Sequence, residues 1–417
     1  MLQPRRQPEV PPPSQFRGER TAGGRAASFS FSRCVPIAGV ALLLAVCTLS
    51  AASASPPQAP DPEQLFRDAY EAQQRGDAAL AVSKYQQLIK LHPDVVAAHA
   101  NLGVVLVSLE RYDEAITQYH IALAQAPGDP ALRLDLGLAY YKKVDFAGAA
   151  AEFAALHKDD PANVRVATLL GNCQVQLGLV GQAIAMLEPL EKANPDDLDL
   201  AWALGLALIG SGETRQGLER VQKVAEQRQS AEAYQLAANL SLGLTYFDQA
   251  RRDAEAIIRL NPRLPKAYVV LGMVDDYSGN EKAAEEDFEK ALQIDPNDLQ
   301  ARVQLGSVFC NQRKLEGARR ELERAFSQDP TSPPTLYLLG RVERAQGNLQ
   351  AALKDLESAE RLNPQWLPPH VELTALYYLQ KRPDDGAREK KIVDQLRTEE
   401  RERHAETRII LPQVPSP

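Results

Sequence analysis

The chain has 417 residues, 24% charged and 44% hydrophobic, with a formal net charge of −8. That balance fits a folded, soluble array or a few domains, and it excludes a field that would draw the chain to nucleic acid or anionic lipid. Aromatics are only 6%, few for an enzyme with one large core.

The first 54 residues differ from the rest. They carry six arginines (Arg5, Arg6, Arg17, Arg20, Arg25, Arg33) against Glu9 and Glu19. Residues 1–33 are rich in Arg, Pro, Gly and Ser, and are expected to be disordered. An apolar run from Val35 to Leu49 then has the length of a signal-peptide core and is short for a membrane span. Ala52-Ser53-Ala54 offers the small-x-small pattern of a cleavage site, so cleavage is expected after Ala54. The alternative is an uncleaved anchor over about 35–52. Either way the basic flank sends the downstream chain out of the cytoplasm, into the periplasm or beyond. Lipidation of Cys47 fits poorly, because bulky Val46 precedes it. Residues 55–61 read as a linker.

From residue 62 onward the chain repeats. Turn prolines recur at Pro93, Pro127, Pro161, Pro195, Pro262, Pro296, Pro330 and Pro364. The spacing is 34, except between 195 and 262, where it is two periods less one residue and Gln229 stands where proline is expected. A Leu-Gly pair recurs at Leu102-Gly103, Leu136-Gly137, Leu170-Gly171, Leu204-Gly205, Leu271-Gly272, Leu305-Gly306 and Leu339-Gly340, with Ala69 and Ala238 in the glycine place of two further copies. A second small residue follows each: Ala81, Ala115, Ala149, Ala183, Gly217, Ala250, Ala284, Ala318 and Ala352. Each copy carries two apolar stripes at helical spacing, as in Leu102, Leu106 and Leu109, then Ala115, Tyr119, Ala122 and Leu123. Glycine within a helix costs about 0.5–1 kcal/mol. Its recurrence implies close helix contact through small residues that lets large neighbours interlock. Proline then ends the second helix.

This period with these columns resembles the tetratricopeptide repeat. The resemblance covers nine copies over 62–366 and implies an all-α, right-handed superhelical solenoid of antiparallel helix pairs. The family's leading tryptophan is mostly replaced, by Leu65, His99, Arg133, Ala167, Tyr234 and Tyr268. Residues 367–407 read as a worn tenth copy with a charged capping helix, and 408–417 as a frayed tail. Pro189 inside a helix, Gly217 and Gln229 together suggest a kink or soft joint between Pro189 and Leu244. Contacts in such an array stay between neighbours, so Cys173 and Cys310 should not pair.

Chemistry is sparse. Tyr119, His120 and Asp113 resemble an acid/base cluster, but helical phase buries Tyr119 and turns His120 outward. No histidine spacing matches a metal motif, no Gly-rich phosphate loop follows a strand, and no nucleophile elbow is present. No catalytic, cofactor or metal residue is expected, and the chain is read as a non-enzyme. What the family resemblance implies is a protein or peptide partner held on the concave face of the first helices. By repeat position that face includes Val104, Val107, Leu134, Leu138, Tyr141, Asn172, Trp202, Leu206, Asn239, Met273, Tyr277, Tyr337, Arg341 and Arg344. Asn172 and Asn239 would bind a segment's backbone, and Arg341 with Arg344 its acidic end. Many of the apolar members could instead pack against the next copy. No copy pairs the lysine and asparagine with which some relatives clamp a terminal carboxylate. The expected role is an adaptor outside the cytoplasm. Alternatives are a structural subunit of an envelope secretion, pilus or outer-membrane assembly machine, or the recognition arm of a separate glycosyltransferase-like enzyme.

Overall fold

A computed structural model describes residues 61–409. The basic leader, the proposed cleavage site, Cys34, Cys47 and the last eight residues lie outside the described residues. Those described are all helix and turn, and form ten helix pairs in two compact units that meet in sequence at Gly128 and Asp129.

The first unit holds α1 (Pro62–Gln74), α2 (Ala78–Leu91), α3 (Val96–Ser108) and α4 (Tyr112–Gln125). The second begins with α5 (Pro130–Lys142), α6 (Phe146–Asp159), α7 (Val164–Gln176), α8 (Val180–Ala193), α9 (Leu198–Ser211) and α10 (Thr214–Arg228). It continues with α11 (Ala231–Gly243), α12 (Phe247–Leu260), α13 (Pro265–Tyr277), α14 (Glu281–Ile294), α15 (Leu299–Asn311) and α16 (Leu315–Gln328). It ends with α17 (Pro333–Ala345), α18 (Leu349–Leu362), α19 (Leu367–Leu379) and α20 (Pro383–Ile409). Pro383 opens α20, where its missing N–H is harmless. No helix among the described residues is long and apolar enough to cross a membrane.

Local chemistry sets the boundaries. Two residues after most turn prolines stands a short polar side chain that caps the next helix. Asp129, Asn163, Asp197, Asp298 and Ser332 each accept from a backbone N–H of the first turn, satisfying donors that have no partner within the helix. The turn inside each pair has its own rule. Gly76, Glu110, Val144, Gly178, Gly212, Thr245, Gly279, Arg313, Gly347 and Lys381 all have positive φ. This left-handed column was not singled out in the sequence, because half of its members are not glycine.

Packing explains the two small-residue columns. The alanines at 81, 115, 149, 183, 250, 284, 318 and 352 are all fully buried. The helical glycines do not primarily face that alanine, as expected, but a large side chain sixteen residues on. Gly103 lies against the ring of Tyr119, Gly272 against Phe288 and Gly306 against the isobutyl group of Leu322. Each such group buried is worth roughly 1.5–3 kcal/mol, more than the helix propensity the glycine forfeits.

The irregular centre is built in without a break in the helices. Pro189 lies inside α8, which runs through it. Pro189 and Ala185, whose carbonyl loses its intrahelical partner, are both exposed, on the solvent side of the helix where a lost bond costs least. The missing residue of the period is a shortened turn. Only Gln229 and Ser230 separate α10 from α11, whereas four residues separate α4 from α5. Gln229 makes the reversal in a left-handed conformation, φ 50° and ψ 47°, with its side-chain amide donating to the Glu226 carbonyl at 2.7 Å. Buried residues bridge the segment: Ala201, Val224, Ala225, Ala233 and Tyr234 share a core with Ile257 and Ala267.

Candidate protein-binding face

Within the second unit, first helices of successive pairs touch: α7 meets α9, α11 meets α13, α15 meets α17 and α17 meets α19. Side chains on the open side of these helices therefore line one wall, and the expected site residues divide into three kinds.

Some are seam residues. Leu134, Leu138 and Tyr141 are half-buried and pack on the core of Val166, Leu170 and Cys173 in the next pair. Trp202 packs on the cores around Ala233 and Ala237 of the following pair, and Met273 and Tyr337 on the core around Leu305. Leu206 and Asn172 are half-buried too. In the first unit Val104 is half-buried, but Val107 is only 7% exposed. Val107 is thus removed from the open surface, because it turns into the interior alongside Leu106 and Val105.

A second kind is open. Tyr277 is 61% exposed, its ring stacked on Phe247 at 5.5 Å. Asn239 is exposed, its side-chain oxygen accepting from Gln235 at 3.2 Å.

A third kind converges. Arg341 and Arg344 of α17 meet Cys310 and Asn311 of α15 and Glu372 of α19 around an open hollow of about 500 Å³. The Arg341 guanidinium lies 5.8 Å from the Tyr337 ring centre and donates to Asn311 Oδ1 at 3.4 Å. Tyr337 in turn meets Trp366 edge-on at 5.1 Å. Arg344 donates to Glu372. The guanidinium of Arg341 is therefore weakly held and stacked on an aromatic face, a geometry that leaves donors for a carboxylate. Trp366 and Glu372 were not among the residues expected from repeat position. The 34-residue period carries Tyr337 and Arg344 onto Val371 and Tyr378, so repeat phase gave no signal for Trp366 or Glu372.

Reactive groups behave as buried structure. Cys173 and Cys310 are both free, as expected from their separation. Burial pushes their thiols up to about 12 and about 11, with Arg341 opposing the shift at Cys310, so neither is poised as a nucleophile at neutral pH. Tyr119 is fully buried while His120 and Asp113 are exposed on the same helix, so the three do not form one site.

Comparison with known proteins agrees with the geometry. Tetratricopeptide repeat family models match residues 66–130 and 105–164, 144–205 and 277–342, and 333–365. Together these cover more than half of the chain, and the protein belongs to the tetratricopeptide repeat family. Among curated proteins, the photosystem I assembly protein Ycf3 of Prochlorococcus marinus is 28% identical over 81 residues, 19% of this chain and 47% of that one. The chain thus matches about half the length of that relative. Among solved structures, a tetratricopeptide repeat protein from Parabacteroides merdae aligns over 56% of this chain and 93% of its own, with 19% identity and a TM-score of 0.47. The Cut9–Hcn1 complex of the APC/C aligns over 81% and 87%, with 16% identity and a TM-score of 0.47. Yeast Tom70 aligns over 80% and 84%, with 15% identity and a TM-score of 0.42.

Proposed function

We propose that this protein is a non-catalytic adaptor, exported from the cytoplasm, that holds a segment of a partner protein on the first-helix wall of its second unit. The observation that carries the reading is the hollow between α15, α17 and α19, where Arg341 and Arg344 stand beside Tyr337 and Asn311. The stacked, weakly held cation suits an acidic residue or chain end, and the aromatic and aliphatic rim suits the apolar residues beside it. The leader supports export through its basic flank, apolar run and Ala52-Ser53-Ala54.

Two measurements test this. A photo-crosslinking residue placed at Tyr277 or Tyr337 should capture a defined segment of one partner, while the same residue at His120 captures none. Double charge reversal, Arg341→Glu with Arg344→Glu, should abolish the capture without loss of helicity. Capture unaffected by that reversal sinks the reading of this hollow. Mass spectrometry of the mature N-terminus should find Ser55 first, and a chain recovered only from the cytoplasm sinks export.

A further inference from the structure

The residue six after a turn proline is a recurrent polar bridge. His99 Nε2 donates to the Pro93 carbonyl at 3.1 Å, and its Nδ1 meets Gln118 Oε1 at 2.7 Å. Arg302 donates to the Pro296 carbonyl and, at 2.7 Å, to Glu321 Oε2. His370 repeats the device in the last pair: Nε2 faces the Pro364 carbonyl at 3.0 Å and Nδ1 faces Glu389 Oε2 at 2.8 Å.

The last instance differs from the others. A carbonyl only accepts, so Nε2 of His370 carries a proton, and in the neutral ring Nδ1 is a lone pair. At His99 the facing group is an amide, which can turn its NH2 toward that lone pair. At His370 it is a carboxylate, which cannot donate when ionised. A third acceptor is present as well. Four residues before the turn proline, where the His99 and Arg302 bridges have Ile89 and Leu292, the last pair has Glu360. One nitrogen and two carboxylate oxygens, from Glu360, His370 and Glu389, lie within 4.8 Å of one another. His370 is 1% and Glu389 9% exposed. One imidazole nitrogen and two carboxylate oxygens thus converge on one point with little water between them.

We propose that Glu360, His370 and Glu389 form a binding site for a divalent transition-metal ion of the zinc class. The metal would take the His370 Nδ1 lone pair and one oxygen from each carboxylate, leaving a fourth position open. The Nε2–H bond to the Pro364 carbonyl is the outer hydrogen bond that metal-bound histidines commonly make. A tetrahedral zinc site with bonds near 2.0–2.1 Å spaces its ligands about 3.4 Å apart. Widening the 2.8 Å contact by about half an ångström, and drawing in Glu360, reaches that spacing. The imidazole nitrogen favours zinc, nickel or copper over calcium or magnesium. Because the three ligands come from α18, α19 and α20, the ion would tie the final helix to the array.

The test uses the chelator-treated full chain and zinc alone. Wild type should bind one zinc ion in calorimetry with a rise in Tm, and cobalt in its place should give the visible bands of a low-coordinate N/O site. Glu360→Leu installs the residue type found at the Arg302 bridge, and His370→Arg installs that bridge itself, so both keep the structural contacts. Each should weaken zinc binding at least about tenfold and abolish the rise in Tm, with unchanged helicity by circular dichroism. Should either variant fail to fold, Glu389→Gln is read in its place, and it should weaken zinc to the same degree. No saturable zinc site in the micromolar range in wild type, or binding that survives both Glu360→Leu and Glu389→Gln, overturns the proposal.

Discussion

A β-carbon built on Gly137 would lie 2.5 Å from Cε1 of Phe153, closer than real carbon atoms approach. The ring lies over the glycine of the partner helix and is itself fully buried. Helix propensity alone would make Gly137→Ala stabilising by about 0.5–1 kcal/mol. The contact reverses the sign. Overpacking should make Gly137→Ala destabilising by about 1–3 kcal/mol in urea unfolding. Adding Phe153→Met should recover part of the loss, since the flexible thioether can move aside. The low end of the range is favoured by the first pair, where Ala69 and Tyr85 stand at the corresponding positions and both are fully buried.

The inter-helix turns give a prediction of the opposite sign. Val144 has φ 68° and is 53% exposed, a β-branched side chain in the left-handed region with no burial to offset it. Gly178 holds the same place one copy later at φ 74°. Val144→Gly should stabilise by about 1 kcal/mol, and Gly178→Val should destabilise by about as much or more. Equal and opposite shifts in the urea midpoint would support this; a destabilising Val144→Gly would refute it.

Asp253 sets a pH dependence. It is 1% exposed; burial pushes its carboxyl up to about 6, partly opposed by the bond from Gln222 at 3.0 Å. Its other oxygen has no partner among the described residues. In the unfolded chain it titrates near 3.9. Below about pH 4 both states are protonated and the burial carries no charge. As pH rises toward 6 the unfolded state ionises first, so stability falls, and the loss is complete above about 6. Two units correspond to about 3 kcal/mol at most. Asp253→Asn should therefore stabilise at pH 7.5 by about 1–3 kcal/mol and by almost nothing at pH 4. A gain that is the same at both pH values would exclude a charge origin. Asp135 and Asp287 are also pushed up to about 6 by burial, so the wild-type protein should itself lose stability across that window from these three groups.

The Arg302–Glu321 pair is 8% and 9% exposed. Glu321→Leu strands a buried cation and should cost about 3–5 kcal/mol. Replacing both partners, Arg302→His with Glu321→Gln, rebuilds the His99–Gln118 bridge and should cost under about 1.5 kcal/mol. A double variant as unstable as the single one would show that the slot depends on charge and not on hydrogen bonding.

The period and the alanine column made the helix pairs legible from sequence alone, because each pair repeats one packing solution. The glycine column was legible as a close contact, but its partner was not. Gly103 and Tyr119 are sixteen residues apart, a separation set by where the second helix crosses the first. The wall was legible only in part. Val104 and Val107 differ by one helical turn, and only the spacing of neighbouring helices decides that one is half open and the other buried. The acidic cluster in the last pair was hidden because its members stand ten and nineteen residues apart. They come into view only when His370 is aligned with His99 and Arg302. The irregular residues Pro189, Gly217 and Gln229 were visible as departures. The two compact units, however, are divided at Gly128, where the sequence shows an ordinary Ala-Pro-Gly turn.

Where the residue six after a turn proline can donate, it is neutral at Tyr268, ionisable at His99 and cationic at Arg302, yet at all three it reaches the same backbone carbonyl. The backbone asks only for a hydrogen to be offered, and is indifferent to the charge that comes with it. Substitution at this slot can therefore redraw the electrical profile of the molecule one copy at a time, with the course of the chain unchanged.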